Sequence, residues 1–443
     1  EENINLINKF NVKIIICPEV EFNGLLISGI KTIKLSNFYL LRENIISNYK
    51  VLIIHNEEII KKNKDIINDL KKQFKNVKLL NSIRGGINYF DITKKEENDL
   101  VKDQDLIFKN KNVLITGGAG SIGKELAKLV IKQNINKLLI LDNSEYNLYK
   151  IKNDKLFKNF KNIEFILLDV SDNYALRNLF KKNKIDITYH VAAYKHVKVI
   201  ENQIYAAIKN NIVSTNNILE LALKYKMEKF IFVSTDKAVK PINVLGYTKR
   251  FGELMTLYYD NLSKISNKST SFNCVRFGNV FGSSGSVIPH FEDEIKNHRN
   301  LKITHLEVSR YYMSINEAAS LVILASNLKL AGEIIVFDMG EPIKIIDIAK
   351  NLIEFHKKSE SKFIPDIEVT NLDPSEKLHE DLFYKSTTKT KYHKIELETQ
   401  KIKDFDFLIS QKKLIDQFMI NEDKDEENLL KFIKDTSVFY NKF

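Results

Sequence analysis

The chain has 443 residues, 44% of them hydrophobic and 28% charged, the balance of a soluble globular protein with room for two or three cores. Its formal charge of +11 is spread over lysines interleaved with acids, with no basic run carrying aromatic platforms, so a solvated surface is read rather than a nucleic-acid groove. No stretch approaches the roughly 18–20 apolar residues of a membrane span, and no signal-peptide pattern is present.

The chain opens on Glu1 rather than Met, as a processed product or a piece of a longer protein does. Apolar runs 12–17, 51–55 and 77–80 read as buried parallel strands, and residues 59–74 have helical apolar spacing. This alternation predicts a small N-terminal α/β domain over residues 1–88, structural or regulatory, since no glycine-rich phosphate turn follows a strand there. The charged stretch 89–110 reads as a linker. Cys17 and Cys274 lie in separate strand-like runs and read as two buried thiols of a reducing compartment. No Cys or His cluster has metal-ligand spacing, so no metal is expected.

From residue 111 to about 395 the pattern is βαβ. Residues 113–123 are strand, glycine turn and helix start, with Gly117, Gly120 and Gly123 at GxxGxxG spacing. Such glycines let the backbone approach a pyrophosphate and the helix pack close to the sheet, while the helix N-terminus offers free N–H groups. Ser121 and Ile122 belong to this turn. A second strand ends at Asp142, followed by Asn143, where an acid holds the adenosine ribose hydroxyls. Asp142 favours NAD, and nearby lysines leave NADP open. Asp169 and Val170, after a third strand, suit the adenine edge, or Asp169 is a turn acid capping the next helix. The expected fold is a doubly wound, Rossmann-type parallel sheet with a smaller substrate-binding lobe, mainly residues 283–305 and 340–395. Residues 396–443 read as a C-terminal helical segment.

The segment 233–249 carries the chemistry. A strand ending at Val233 leads into Thr235, Asp236 and Lys237, and Lys249 follows on a helix starting near Asn243. In short-chain dehydrogenases a Tyr stands four residues before that Lys; here the position is Leu245. Tyr247 cannot substitute, because residues two apart on a helix do not share a face.

With Thr-Gly-Gly-Ala-Gly-Ser-Ile-Gly at 116–123, Ala-Ala-Tyr-Lys-His-Val at 192–197, Ser-Thr-Asp-Lys-Ala-Val at 234–239, Arg-Phe-Gly-Asn-Val-Phe-Gly at 276–282 and Glu-Val-Ser-Arg-Tyr-Tyr-Met at 307–313, the chain resembles the extended short-chain dehydrogenase/reductase superfamily. More narrowly, it resembles the UDP-N-acetylglucosamine 4,6-dehydratases of its polysaccharide-biosynthesis branch. The resemblance implies C4 oxidation of a UDP-sugar, loss of water across C5 and C6, and return of the hydride to C6, with NAD tightly bound and regenerated each turnover. It implies that Thr235 bonds the C4 oxygen, that Asp236 is the acid toward the C6 hydroxyl, and that Lys237 takes the C5 proton. That last role needs a lowered pKa, expected from burial near a cation such as Lys249. Lys249 itself holds the nicotinamide ribose.

Ala192 and Ala193 are implied at the cofactor, and Lys195, Asn279, Ser286, Val287, Arg310 and Glu376 at the UDP-sugar. The branch carries an apolar residue at position 245, so the C4 proton goes either through Thr235 to Asp236 or to a water held by Lys249. Asp373 stands where the family has an Arg near the pyrophosphate, a repulsive choice unless Lys377 or another cation compensates. The histidines 190, 196 and 290 are read as packing or capping. The resemblance further implies a homo-oligomer, no nucleic acid, and a cytoplasmic location, as the soluble part of an inner-membrane protein whose anchor lies upstream. The competing readings are a UDP-sugar epimerase and a non-catalytic binder of NAD and nucleotide sugar.

Overall fold

The computed structural model describes the backbone of strands 14–17, 31–34, 51–55 and 78–81, residues 89–93 and 95, and residues 108–441 except 159, 329, 331, 359–362, 401, 403 and 422–424. It divides into two compact units: residues 1–92 with 355–360, and residues 93–354 with 361–443.

In the first unit, β1 (Ile14–Cys17), β2 (Lys31–Lys34), β3 (Val51–His55) and β4 (Lys78–Asn81) form a sheet in the order β2-β1-β3-β4. All its pairings are parallel. β2 was not read from its sequence, because Lys31 and Lys34 interrupt the apolar pattern. The helix expected over 59–74 lies outside the described residues. The start of the expected linker is instead a short helix, Tyr89–Thr93, with Tyr89 and Ile92 buried: its two apolar residues, three apart, share a helical face.

The second unit is built on a nine-stranded sheet. Its members are β5 (Asn112–Thr116), β6 (Lys137–Asp142), β7 (Ile163–Leu167), β8 (Ile187–His190), β9 (Lys229–Val233), β10 (Ser271–Arg276), β11 (Glu333–Phe337), β12 (Thr388–Lys389) and β13 (Ile395–Thr399). The order is β12-β13-β11-β10-β9-β8-β5-β6-β7. β5 through β11 run parallel, and β12 and β13 close one edge antiparallel. The near-continuous apolar runs of β5, β6 and β9 are what burial on both sheet faces requires. The chain runs outward from β5 to β7 and then returns to β8, so strand order reverses between β5 and β8. That reversal opens the crevice at the carboxyl ends where doubly wound sheets bind ligands.

Helix α1 (Ser121–Val130) follows β5 and buries Leu126, Ala127, Leu129 and Val130. Helix α2 (Val244–Ile265) follows β9 and is capped by Asn243, whose side chain accepts from Gly246 N–H at 2.8 Å. The C-terminal segment is two helices, α3 (Asp406–Ile420) and α4 (Glu426–Tyr440). Tyr440 joins them: its hydroxyl donates to Asp404 O at 3.1 Å and accepts from Leu408 N–H at 3.2 Å. Asp425 caps α4 through the amides of Glu427 and Asn428. Cys274 is a free, buried thiol on β10. Among the described residues, no helix is long and apolar enough to cross a membrane.

Candidate active site

The glycine turn sits at the mouth of the β5/β8 crevice. Gly117 has φ +63°, and a Cβ there would stand 2.7 Å from Ala192 N, against the backbone of the segment after β8. A Cβ on Gly123 would overlap the Gly117 carbonyl oxygen, so α1 can approach the turn only without one. Gly120, at the N-cap of α1, has no side-chain cap, leaving the first amides of the helix without a side-chain acceptor at that position.

Asp142, at the end of β6, is 8% exposed and accepts Ala119 N–H (3.1 Å) and Ser144 N–H (3.0 Å), so it also braces the turn. Asn143 beside it is exposed. Ser121 accepts from Ser284 N–H at 3.2 Å, which brings the 283–286 loop to the turn, and Ile122 packs on the core. Val170 is buried; Asp169 is exposed and accepts Ser171 N–H at 2.8 Å. The cap of the next helix (Asn173–Lys182) is Asp172, not Asp169. Ala192 and Ala193 line the segment after β8, both half-buried.

Lys249 projects from α2 with 5% exposure, its Nζ 4.1 Å from the centre of the Phe232 ring. Among the described residues its amine has no hydrogen-bond acceptor or ion-pair partner. Burial pushes it down to about 8, against smaller opposing effects of Cys274 and Glu253. An amine without a protein hydrogen-bond partner among the described residues, a Cβ-free cradle and an acid at the second strand fit a dinucleotide with its pyrophosphate on the turn. Leu245, one turn earlier, packs with Ile200, Ala207 and Val244 and is 4% exposed.

Thr235, Asp236 and Lys237 leave β9 as one hydrogen-bonded chain. Asp236 N–H bonds Phe277 O at 3.0 Å, and Ser234 N–H bonds Val275 O at 2.7 Å, extending the sheet past β9. Ser234 Oγ donates to Glu253 at 2.7 Å, and Glu253 lies in a buried cluster with Arg250, Arg276 and Glu398. This ionic floor fixes the strand end from below. Thr235 Oγ1 donates to Asp236 Oδ1 (2.8 Å), which also accepts from Lys237 Nζ (3.1 Å). Asp236 is fully buried, and its Oδ2 has no hydrogen-bond partner among the described residues.

Lys237 departs from expectation. Burial works against its charge, but the carboxylates of Asp236 and Glu380 outweigh burial and Arg310, so its pKa is raised, not lowered. Lys249 is not among the groups acting on it; it is Lys249 that carries the lowered value. Lys237 Nζ also donates to Asn279 Oδ1 at 3.3 Å.

Arg310 and Glu376 pair with each other at 2.8 Å, and Arg310 donates further to Ser309 O and Leu378 O. Lys195 reaches Ser283 Oγ at 3.4 Å, and burial lowers its pKa. Ser286 precedes the helix Val287–Lys296, and its buried hydroxyl has no hydrogen-bond partner among the described residues. Asp373 turns onto its own loop, accepting Ser375 N–H (2.9 Å) and Oγ–H (2.6 Å), which hold its pKa down. Lys377 does not compensate it; its amine goes to Val239 O (2.6 Å) and Glu380 (3.4 Å). His190 is buried between Thr116 and Thr215 and is held neutral, pushed down to about 3 by burial first and by Lys249 second. His196 stands at a helix N-cap without a side-chain cap bond, and His290 lies 3.5 Å from Glu294.

Two residues that join the site escaped the sequence reading, Glu380 and Lys377 in its Glu380-facing role. Their only sequence signal was the alternation of charge at 376, 377 and 380. Among the described residues no group of His, Cys, Asp and Glu could hold a metal.

The family described as polysaccharide biosynthesis protein matches residues 113–400, well over half of the chain. Over 280 residues the chain is 42% identical to the capsular polysaccharide biosynthesis protein CapD of Staphylococcus aureus, covering 62% of this chain and 46% of that protein. The chain thus spans under half the length of that relative. It is 32% identical over 248 residues to a UDP-N-acetylglucosamine 4,6-dehydratase (inverting) of Campylobacter jejuni, covering 56% of this chain and 72% of the other. It is also 32% identical over 265 residues to a UDP-glucose 4-epimerase of Rickettsia bellii, covering 58% and 75%. Among solved structures, Pen from Bacillus thuringiensis superposes with a TM-score of 0.62 at 32% identity, covering 68% of this chain and 91% of that one. Residues 113–400 carry both the glycine turn and the Thr235–Asp236–Lys237 chain, and the protein belongs to the polysaccharide biosynthesis protein family, among relatives named as nucleotide-sugar dehydratases and epimerases.

Proposed function

We propose that this chain is a UDP-N-acetylglucosamine 4,6-dehydratase that uses NAD. The observation that carries the reading is the chain Thr235–Asp236–Lys237: an acid with one buried unpaired oxygen stands 3.1 Å from an amine, at the carboxyl end of β9. Elimination needs an acid for the leaving hydroxyl and a base for the carbon proton, side by side. The Campylobacter relative named for this reaction supports the substrate.

When bound, NAD takes hydride from sugar C4 and gives it back at C6. Lys249 holds the nicotinamide ribose with its otherwise unsatisfied amine. With Leu245 in place of a phenol, the C4 hydroxyl proton passes to Thr235 Oγ1 as Thr235 passes its own to Asp236 Oδ1. Asp236 then carries that proton to the C6 hydroxyl, which leaves as water. Lys237 takes the C5 proton, made acidic by the C4 ketone, exchanges its N–H protons with solvent, and reprotonates C5 after elimination. One proton enters the relay from the C4 hydroxyl and one leaves it in the water, so the cycle needs no outside acid. Arg310 would exchange its Glu376 partner for a diphosphate oxygen, freeing Glu376 for the UDP ribose. Lys195, Asn279, Ser286 and Val287 complete the substrate contacts, and a homo-oligomer in the cytoplasm, as the soluble part of a longer membrane protein, completes the reading.

The Rickettsia relative favours a second reading, epimerisation. Incubation with UDP-N-acetylglucosamine and trace NAD in deuterated water separates them. Dehydration gives a product lighter by one water with deuterium at C5; an epimer of unchanged mass overturns the dehydratase.

A further inference from the structure

The proton inventory of this site does not close with Asp236 and Lys237 alone. In the resting site Lys237 is protonated, because it faces two carboxylates, Asp236 Oδ1 at 3.1 Å and Glu380 Oε1 at 3.6 Å. If C4 oxidation delivers a second proton to Asp236, both members of the pair are protonated. Lys237 then cannot take the C5 proton unless its own has somewhere to go.

Glu380 is the group the geometry offers. It comes from the substrate lobe, and its side chain is 3% exposed. It lies between two amines, Lys237 on Oε1 and Lys377 on Oε2, the latter at 3.4 Å. Oε2 lies within ion-pair distance of Lys377 but forms no aligned hydrogen bond among the described residues. The charged groups facing this carboxylate are those two lysines, with Asp236 and Arg310 beside Lys237.

Resting on the dehydratase reading, we propose that Glu380 is the positioning residue that makes Lys237 a base, by holding its amine and accepting its proton when the C4 proton arrives at Asp236. The N–H bond of Lys237 breaks and an O–H bond forms on Glu380 Oε1, with no change of oxidation state. The free amine pair of Lys237 then takes the C5 proton; the C5–H electrons pass into the bond to C4 and next expel the C6 hydroxyl, which leaves with the proton of Asp236. C5 is later reprotonated from Lys237, and the proton on Glu380 returns to the amine. Lys377 offsets the carboxylate charge between turnovers, which keeps Glu380 from being an unpaired buried anion.

Glu380→Gln keeps the shape and removes the proton acceptor. The expected result is C5 exchange slower by about 100-fold, the low end of what a positioned proton-transfer group contributes. A substrate deuterated at C5 should then show a larger isotope effect than in the wild type, and Glu380→Asp should restore part of the rate. Glu380→Gln with the wild-type rate and isotope effect overturns the proposal. So does a slow variant whose isotope effect is unchanged, since a structural role alone would do that. If Glu380→Gln does not fold, Glu380→Asp is measured alone: a raised isotope effect supports the proposal and an unchanged one overturns it. A wild-type protein that releases no water sinks the dehydratase reading itself, and Glu380 with it.

Discussion

Two buried lysines in one site take opposite shifts because of what each faces. Lys237 pairs with Asp236 and Glu380 and keeps its proton; Lys249 lies over the Phe232 ring and, among the described residues, has no ion-pair partner. Lys249 therefore makes a pH-dependent demand on stability. With its pKa lowered from 10.5 to about 8, the unfolded chain binds more protons between those values, so this group's contribution improves as pH rises through that window. Below pH 8 the full penalty stands, about 3 kcal/mol. Lys249→Met should raise the melting temperature of the ligand-free protein most at pH 7, with the gap closing toward pH 10. A gap that widens with pH contradicts the assignment.

Leu245 gives the companion case. It fills an apolar cluster with Ile200, Ala207 and Val244, so Leu245→Tyr overpacks that cluster and costs about 1–3 kcal/mol. Loss of stability without faster C4 oxidation is the expected result, read by thermal melting and turnover; a faster enzyme would show that position 245 can still take the proton. The position of Lys249 on α2, one turn after Leu245, was legible from the spacing. The charge state of Lys237 was not, because Glu380 arrives from another part of the chain and no local pattern links them.

At the scale of elements, the glycine turn was the most legible part of the chain, since strand, turn, helix and Asp142 all fall within one βαβ unit. Each glycine answers to a specific neighbour. Gly123→Ala places a methyl group on the Gly117 carbonyl, so α1 must shift off the turn. Titration with NAD should then show at least about tenfold weaker binding, from the lost registry of helix N-terminus and phosphate, worth about 1.4 kcal/mol or more. Unchanged affinity would separate the turn from the cofactor. The C-terminal segment was less legible. Its charged, amphipathic pattern ran across α3 and α4 as if continuous, whereas the Tyr440 hydroxyl, bridging Asp404 and Leu408, and the ring pairs Phe407–Phe439 and Phe418–Phe432 join two separate helices. The short helix Tyr89–Thr93 hid within a charged stretch for the same reason: its two buried residues are too few to make a period.

At the scale of the molecule, the alternation of strands and helices announced a doubly wound sheet, and the crevice between β5 and β8 follows from the reversal of strand order. The antiparallel edge of β12 and β13 could not be read ahead, because its pairing depends on where the chain returns after the long excursion that follows β11. That return matters to the site. The same stretch brings Arg310's partner Glu376, and Lys377 and Glu380, to the end of β9. The sheet supplies Thr235, Asp236 and Lys237 from one strand end, while the lobe supplies the charges that set their protonation. Together, on the reading proposed above, these groups eliminate water from a UDP-sugar. The most direct test is the mass of the product formed from UDP-N-acetylglucosamine with trace NAD in deuterated water. A product lighter by one water and carrying solvent deuterium at C5 is predicted; a product of unchanged heavy-atom composition, or none at all, contradicts the claim.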